Sequence, residues 1–242
     1  MSKLADDLPA FSRLYERARA HDLLPRGVLD DESRHAVCVA ALVILRLEPG
    51  LLEEEIGALL DAGCPPGLAE DVVVQMAAYC GYPAAAGALR TLARARRARG
   101  LPGEDGREAP TAEDDESRYA RGTADYARLN PEALATIRAA FDGLAPDLAN
   151  LTFRAFGDVY ARSRLALPVR QVATVAALAT MGTAAPQLRF HIGTALHVGV
   201  TREALVETIY WVQFFAGMPA AYNALIELKA ALADGPATPG YR

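Results

Sequence analysis

The chain reads as an all-α protein of two tandem helical bundles related by internal duplication. Three observations point there: apolar residues recur at helical spacing in run after run, no stretch alternates like a strand, and the second half repeats the first at a fixed offset. Sliding the sequence by 136 residues lays Arg34 on Arg170, Val39-Ala40-Ala41-Leu42 on Val175-Ala176-Ala177-Leu178, Leu52 on Leu188 and Gly57 on Gly193. Without a gap, Gly63 then meets Gly199, Gly81 meets Gly217, and Pro83-Ala84-Ala85 meets Pro219-Ala220-Ala221. Ala88, Leu89, Leu92 and Ala95 meet Ala224, Leu225, Leu228 and Ala231. The shared glycines and prolines stand at the turns, where backbone geometry leaves least choice.

Taken in order, residues 1–99 form the first copy, opened by an amphipathic, Arg-rich leader at Leu14 to His21. Residues 100–117 form a linker, because Gly100 to Ser117 is rich in Gly, Pro and acid. Its seven acids stand against Arg107 alone, a net of -6, so the rest of the chain is close to neutral at +1. Residues 118–242 form the second copy. There Asn130-Pro131-Glu132 starts a helix with proline inside the first turn, and helical runs follow through Phe141 and from Leu151 to Tyr160. From Pro168 to Leu232 come three more runs, broken at Gly182 to Pro186 and at Gly199-Val200-Thr201.

Composition bounds the function. With 242 residues, 52% hydrophobic and 23% charged, the chain has apolar material for one sizeable core or two small ones. A net charge of -5 provides no basic face for nucleic acid. Arg90, Arg94, Arg96, Arg97 and Arg99 crowd one helix end, where cations on a solvated face complement the helix dipole. Met1 to Pro9 is polar and acidic, so no secretory leader is expected, and the most apolar helix, Val172 to Met181, covers half a bilayer. A cytoplasmic protein without a membrane partner is the expectation. Cys38, Cys64 and Cys80 lie outside any C-x-x-C spacing, which reads as reduced, buried thiols and no metal site.

One ionisable ring stands out. Leu188, His191, Ile192 and Ala195 fall at i, i+3, i+4 and i+7, so His191 occupies an apolar helix face where a hydrocarbon would be expected. Around it, Arg170, Leu188-Arg189-Phe190-His191, Ala195-Leu196, Gly199-Val200-Thr201-Arg202-Glu203, Glu207 and Gly217-Met218-Pro219-Ala220-Ala221-Tyr222-Asn223-Ala224 form a pattern. It is preceded by Phe156-Gly157-Asp158-Val159-Tyr160-Ala161-Arg162. This pattern, over residues 118 to 232, resembles the carboxymuconolactone decarboxylase family, whose members share an alkylhydroperoxidase D-like helical fold.

The resemblance implies more than one chemistry. In the peroxidase branch a C-x-x-C-x-x-x-H motif supplies a dithiol, but the cysteine positions here are Ala184 and Gln187, and Glu48 and Leu51 in the first copy. Thiol-based peroxide reduction therefore lacks its nucleophile. What remains is a cofactor-free enzyme for decarboxylation, isomerisation or lactone processing of a cyclic acid, aromatic or polyketide-derived. In this reading the His191 imidazole moves protons. Arg170 is the first candidate for the anion partner, with Arg189 and Arg162 behind it. Tyr160, Tyr210, Trp211 and Phe215 complete the candidate substrate-binding set.

The first copy departs from the pattern with Glu55 in place of the histidine and His35 where relatives have a glutamate; Gln171 fills that place in the second copy. It is expected to be a degenerate, structural half that completes the pocket. It nevertheless keeps a Q-x-x-x-Y pattern at Gln75 and Tyr79, whereas the second copy has Trp211 and Phe215, which suggests a wide, aromatic pocket. His197, six residues past His191, points to another side of the helix and is expected at a surface. Homo-oligomers are implied by the resemblance. A non-catalytic ligand-binding or scaffolding protein is the alternative from another class.

Overall fold

The computed structural model describes residues 8–47, 49–103, 114–129, 133–141, 143–162 and 165–234. These fold into helices α1 (Pro9–Arg17), α2 (Asp31–Leu45), α3 (Pro49–Asp61), α4 (Gly67–Cys80) and α5 (Tyr82–Ala98) in the first half. Then come α6 (Asp115–Leu129), α7 (Ala133–Phe141), α8 (Pro146–Arg162), α9 (Leu167–Met181), α10 (Ala185–His197), α11 (Arg202–Ala216) and α12 (Met218–Asp234). A π-helix, Ala18–Leu23, and a short 3-10 turn, Leu24–Arg26, join α1 to α2. No strand occurs among the described residues, and none of their helices is long and apolar enough to cross a membrane.

The repeat seen in sequence is a repeat of structure. Helices α2, α3 and α5 begin and end 136 residues before α9, α10 and α12. The breaks are chemical. Asp30 caps α2 by accepting from the Ser33 N–H at 2.8 Å, and Thr201 caps α11 by accepting from Ala204 at 3.1 Å. Gly81 and Gly217, at φ 84 and 86, turn the chain between the last two helices of each copy in a conformation that a side chain would strain.

Helices α2 and α9 are buried almost all round and pack on each other along the centre, small residues such as Ala36, Ala40, Ala173 and Ala177 letting them approach. Helix α4 leans on both, and so does α11. The cores are consequently shared between copies. One cluster combines Ile56, Leu59, Met76 and Leu92 with Val169, Ala173 and Ala177, and the other combines Val172, Ile192, Leu205 and Trp211 with Leu23, Val37 and Cys38. Each large aliphatic side chain so buried contributes about 2 kcal/mol, so neither copy has a complete core by itself.

Helices α6 and α8 form a separate hairpin whose inner face holds Tyr126, Phe153 and Phe190 of α10. They touch through glycines: a Cβ on Gly122 would sit 1.8 Å from the Phe153 carbonyl oxygen. Two sequence expectations change here. Asp115 to Ser117, expected in the linker, are helical: Asp114 accepts from the Ser117 N–H at 2.7 Å and α6 starts at Asp115. Arg96 is not on a solvated face; it is buried, 2.8 Å from Glu70 and bonded to the Pro66 carbonyl. The proposed helix start at Asn130-Pro131-Glu132 lies outside the described residues.

Candidate functional site

The site is assembled across the two copies at the end of the α9 helix that α4 covers. Helix α9 places Arg170, Gln171 and Thr174 on neighbouring turns, α10 supplies His191, and α8 supplies Tyr160. From the first copy, α4 contributes Gln75 and Tyr79 at the four-residue spacing that puts both on one face.

His191 is buried, with 7% of its surface exposed. Its Nδ1 lies 3.1 Å from Gln171 Oε1; facing a carbonyl oxygen it bears the proton, so Nε2 keeps its lone pair. Phe190 and Tyr79 stand edge-on to the ring at 5.1 and 5.9 Å. Burial pushes the imidazole pKa down to about 4, since an amide cannot offset the lost hydration of a cation as a carboxylate would. At neutral pH the ring is an uncharged base.

Arg170 is buried at 2% exposure. Its Nη1 donates to Gln75 Oε1 at 3.1 Å, and its guanidinium carbon lies over the Tyr160 ring, 3.6 Å from its centre, that ring itself stacked on Phe156. Gln75 in turn donates to the Arg170 carbonyl at 3.0 Å and to the Thr174 hydroxyl at 2.7 Å, and that hydroxyl donates to Tyr79 at 3.3 Å. Burial lowers the pKa of the guanidinium from its ordinary value, the Tyr160 phenol and the charges of Asp71 and Asp125 acting the other way, and burial raises that of the Tyr160 phenol. Among the described residues no carboxylate forms an ion pair with Arg170. Arg170 Nε and the neighbouring Gln171 Nε2 are buried donors without a hydrogen-bond partner there.

Other candidates lie elsewhere. Arg189 donates to Glu227 on α12 at 2.7 Å and is turned away from His191. Tyr210 is on the surface under the Arg26 guanidinium, and Trp211 is wholly buried, stacked on Phe215 inside the core of the second copy. Beside His191 stand Phe190 of its own helix and Tyr79 of the first copy, and no ring contact joins it to Trp211 or Phe215 among the described residues. The Arg162 side chain lies outside the described residues. His197 is exposed. The cavities lined by Leu42 to Thr91, by Arg26 to Tyr210 and around α1 do not include His191.

At the equivalent place in the first copy the partners are exchanged: His35 stands where Gln171 does, and Glu55 where His191 does. His35 Nδ1 lies 2.6 Å from Glu55, whose other oxygen accepts from Arg19 of the π-helix at 2.9 Å. A guanidinium can only donate, so His35 Nε2 accepts from Arg34 at 3.2 Å and its Nδ1–H points at the carboxylate. Unlike Arg170, Arg34 is half-buried and paired with Asp31 at 2.6 Å. Cys38 beside them is fully buried, which raises its thiol pKa well above the ordinary value and leaves it unreactive. Among the described residues no cluster of three or more potential ligands could hold a metal.

This duplicated arrangement has relatives. A solved structure from Burkholderia xenovorans, described as a candidate gamma-carboxymuconolactone decarboxylase subunit, superposes with a TM-score of 0.55 over 96% of this chain and 90% of that one; at 22% identity it speaks for the fold. The 4-carboxymuconolactone decarboxylase of Acinetobacter baylyi is 34% identical over 80 residues, 33% of this chain and 59% of that protein. An uncharacterised 15.0 kDa protein of Paracoccus denitrificans is 34% identical over 88 residues, 36% of this chain and 66% of its own length. The chain thus spans less than two thirds of each of these two curated relatives. The model of the Carboxymuconolactone decarboxylase family matches residues 9–94 and 146–230, one match per copy and together most of the chain. With both halves matched and the all-α duplicated fold in place, the chain belongs to the carboxymuconolactone decarboxylase family.

Proposed function

We propose that the protein is a cofactor-independent enzyme that decarboxylates or isomerises a cyclic acid or lactone, with Arg170 binding the carboxylate and His191 moving the proton. The observation that supports this most is a buried Arg170 that forms no ion pair with a carboxylate among the described residues and whose Nε lacks a hydrogen-bond partner, adjoining Gln171, whose amide oxygen faces the neutral His191 imidazole. An unpaired buried cation is costly, and an anionic ligand removes that cost. Gln75 is a positioning residue: it holds the guanidinium from one side while Tyr160 supports it from below.

In the decarboxylation the bond from ring carbon to carboxylate breaks, CO2 leaves, and the electron pair moves onto the lactone carbonyl as a dienolate. Once the substrate anion is bound, the Nε2 lone pair takes up a proton from solvent; the dienolate carbon then takes that proton, which returns the ring to its neutral state. The neutral resting state fits this sequence, because an anion beside the imidazole favours its charged form and raises its pKa only once substrate is bound.

The test uses 4-carboxymuconolactone, the substrate in the name of the Acinetobacter relative. Turnover by the parent should fall about a hundredfold or more in His191→Asn, and in Arg170→Gln should fall with partial rescue by Arg170→Lys. Equal turnover in parent and His191→Asn would sink the assignment. A ligand-binding protein without turnover is the second reading, favoured by the near-complete burial of His191. It predicts no turnover in any variant, with thermal stabilisation by the cyclic acid that disappears in Arg170→Gln.

A further inference from the structure

The first copy holds a cavity of about 240 Å³ between α2, α3 and α5 that the chemistry at His191 does not use. Its walls are aliphatic, with Leu42, Val43, Leu47 and Leu52 among them, and its polar groups are Arg46 and Thr91.

Two observations single it out. Arg46 is the one residue other than glycine with a positive φ among the described residues, at 52. A left-handed conformation strains a residue with a Cβ, and the equivalent turn in the second copy uses Gly182 at φ 73. The Arg46 guanidinium donates once, to the Cys80 carbonyl at 2.7 Å, and its other N–H groups have no partner among the described residues. The second observation is the exchange of side chains on the facing helix. Where α12 has Asn223 and Glu227, the latter bonded to Arg189 at 2.7 Å, α5 has Gly87 and Thr91. A Cβ on Gly87 would meet nothing within 4 Å. In the first copy an amide has thus given way to open space and a carboxylate to a shorter hydroxyl that accepts from Arg94 at 3.4 Å, and the adjoining turn has gained a cation at the expense of backbone strain.

We propose that this cavity binds a small aliphatic monocarboxylic acid, its carboxylate on Arg46 and its chain among the leucines. The volume accommodates about eight non-hydrogen atoms at the roughly 30 Å³ that a water-sized group takes in a liquid. Hexanoate is of that size. A guanidinium holds a carboxylate through two parallel charge-assisted hydrogen bonds, which an alcohol of equal length cannot form.

Calorimetric titration of the full chain at pH 7 with hexanoate and with 1-hexanol tests this. Hexanoate should saturate one site at least about tenfold more tightly than the alcohol, a difference of about 1.4 kcal/mol. Arg46→Gly, which relieves the turn, should weaken hexanoate by at least about tenfold without lowering the melting temperature or changing hexanol binding. Thr91→Glu, which restores the carboxylate of the second copy, should abolish hexanoate binding. Arg170→Gln should leave it intact, which keeps this site separate from the one at His191. The proposal is overturned if hexanoate shows no saturable binding up to about 20 mM, if the alcohol binds equally well, or if Arg170→Gln removes binding and Arg46→Gly does not.

Discussion

At the scale of single residues, His191 owes its character to the group opposite it. A carboxylate would hold an imidazolium; Gln171 cannot, so the ring stays neutral. The pKa near 4 sets a pH dependence of stability. The unfolded ring titrates at its ordinary 6.5 and the folded one near 4, so the contribution is present in full above pH 6.5 and is lost as pH falls toward 4. Its size is about 3 kcal/mol from the difference between the two values. Urea denaturation from pH 7 to 4 should show this loss in the parent and not in His191→Gln, and the ring carbon resonances should titrate near pH 4. A ring titrating near 6.5 contradicts the burial argument. The residue itself was legible in sequence, as an ionisable group on an apolar face. Its neighbours were not, since Tyr79 reaches it from another copy as Gln75 reaches Arg170, and no spacing within a helix says which partner the helix will meet.

At the scale of elements, the segment of α1 and the π-helix is held to the bundle by Leu23 in the core, by Arg19 on Glu55 and by Tyr15 against Phe214 at 4.8 Å, and the chain just after it by Glu207, which accepts from Val28 and Leu29 at 2.9 and 3.3 Å. Leu8, Phe11 and Leu14 remain exposed. Glu55→Gln leaves Arg19 and His35 without their shared anion, and breaking a buried pair costs about 3 to 5 kcal/mol. Limited trypsin digestion should then cut after Arg17 or Arg19 well before it cuts the bundle, and faster than in the parent. Equal cleavage rates would show that Glu55 does not hold the segment. In the α6–α8 hairpin, Gly122→Ala would drive a methyl into the Phe153 carbonyl, and its melting temperature should fall by several degrees. That close approach could not be read from the sequence, where Gly122 stands among helix formers and reads as a weak point rather than a contact.

At the scale of the whole molecule, the sharing of both cores between copies makes a thermodynamic claim. Residues 1–99 and 118–242 made separately should lack cooperative melting transitions, while the full chain melts once; two well-resolved calorimetric transitions would show that the copies are independent domains. Helix α12 turns Met218, Tyr222, Leu225 and Ile226 to solvent, 37 to 60% exposed, where α5 has Tyr82, Ala86, Leu89 and Arg90. So apolar a face favours association of copies. Light scattering should report a dimer or larger for the parent and a smaller species for Ile226→Glu; a monomeric parent would refute it.

The sequence by itself determined that the chain is helical, that it is duplicated at an offset of 136 residues, and where most of its turns fall, because helical periodicity, caps and glycines act over a few residues of chain. Tertiary structure alone decided which copy completes which site. It set Tyr79 beside His191 and Gln75 on Arg170, took Trp211 into the core, gave Arg189 to Glu227 and left Arg170 without an ion-paired carboxylate among the described residues, since these outcomes depend on how two buried helices, α2 and α9, cross.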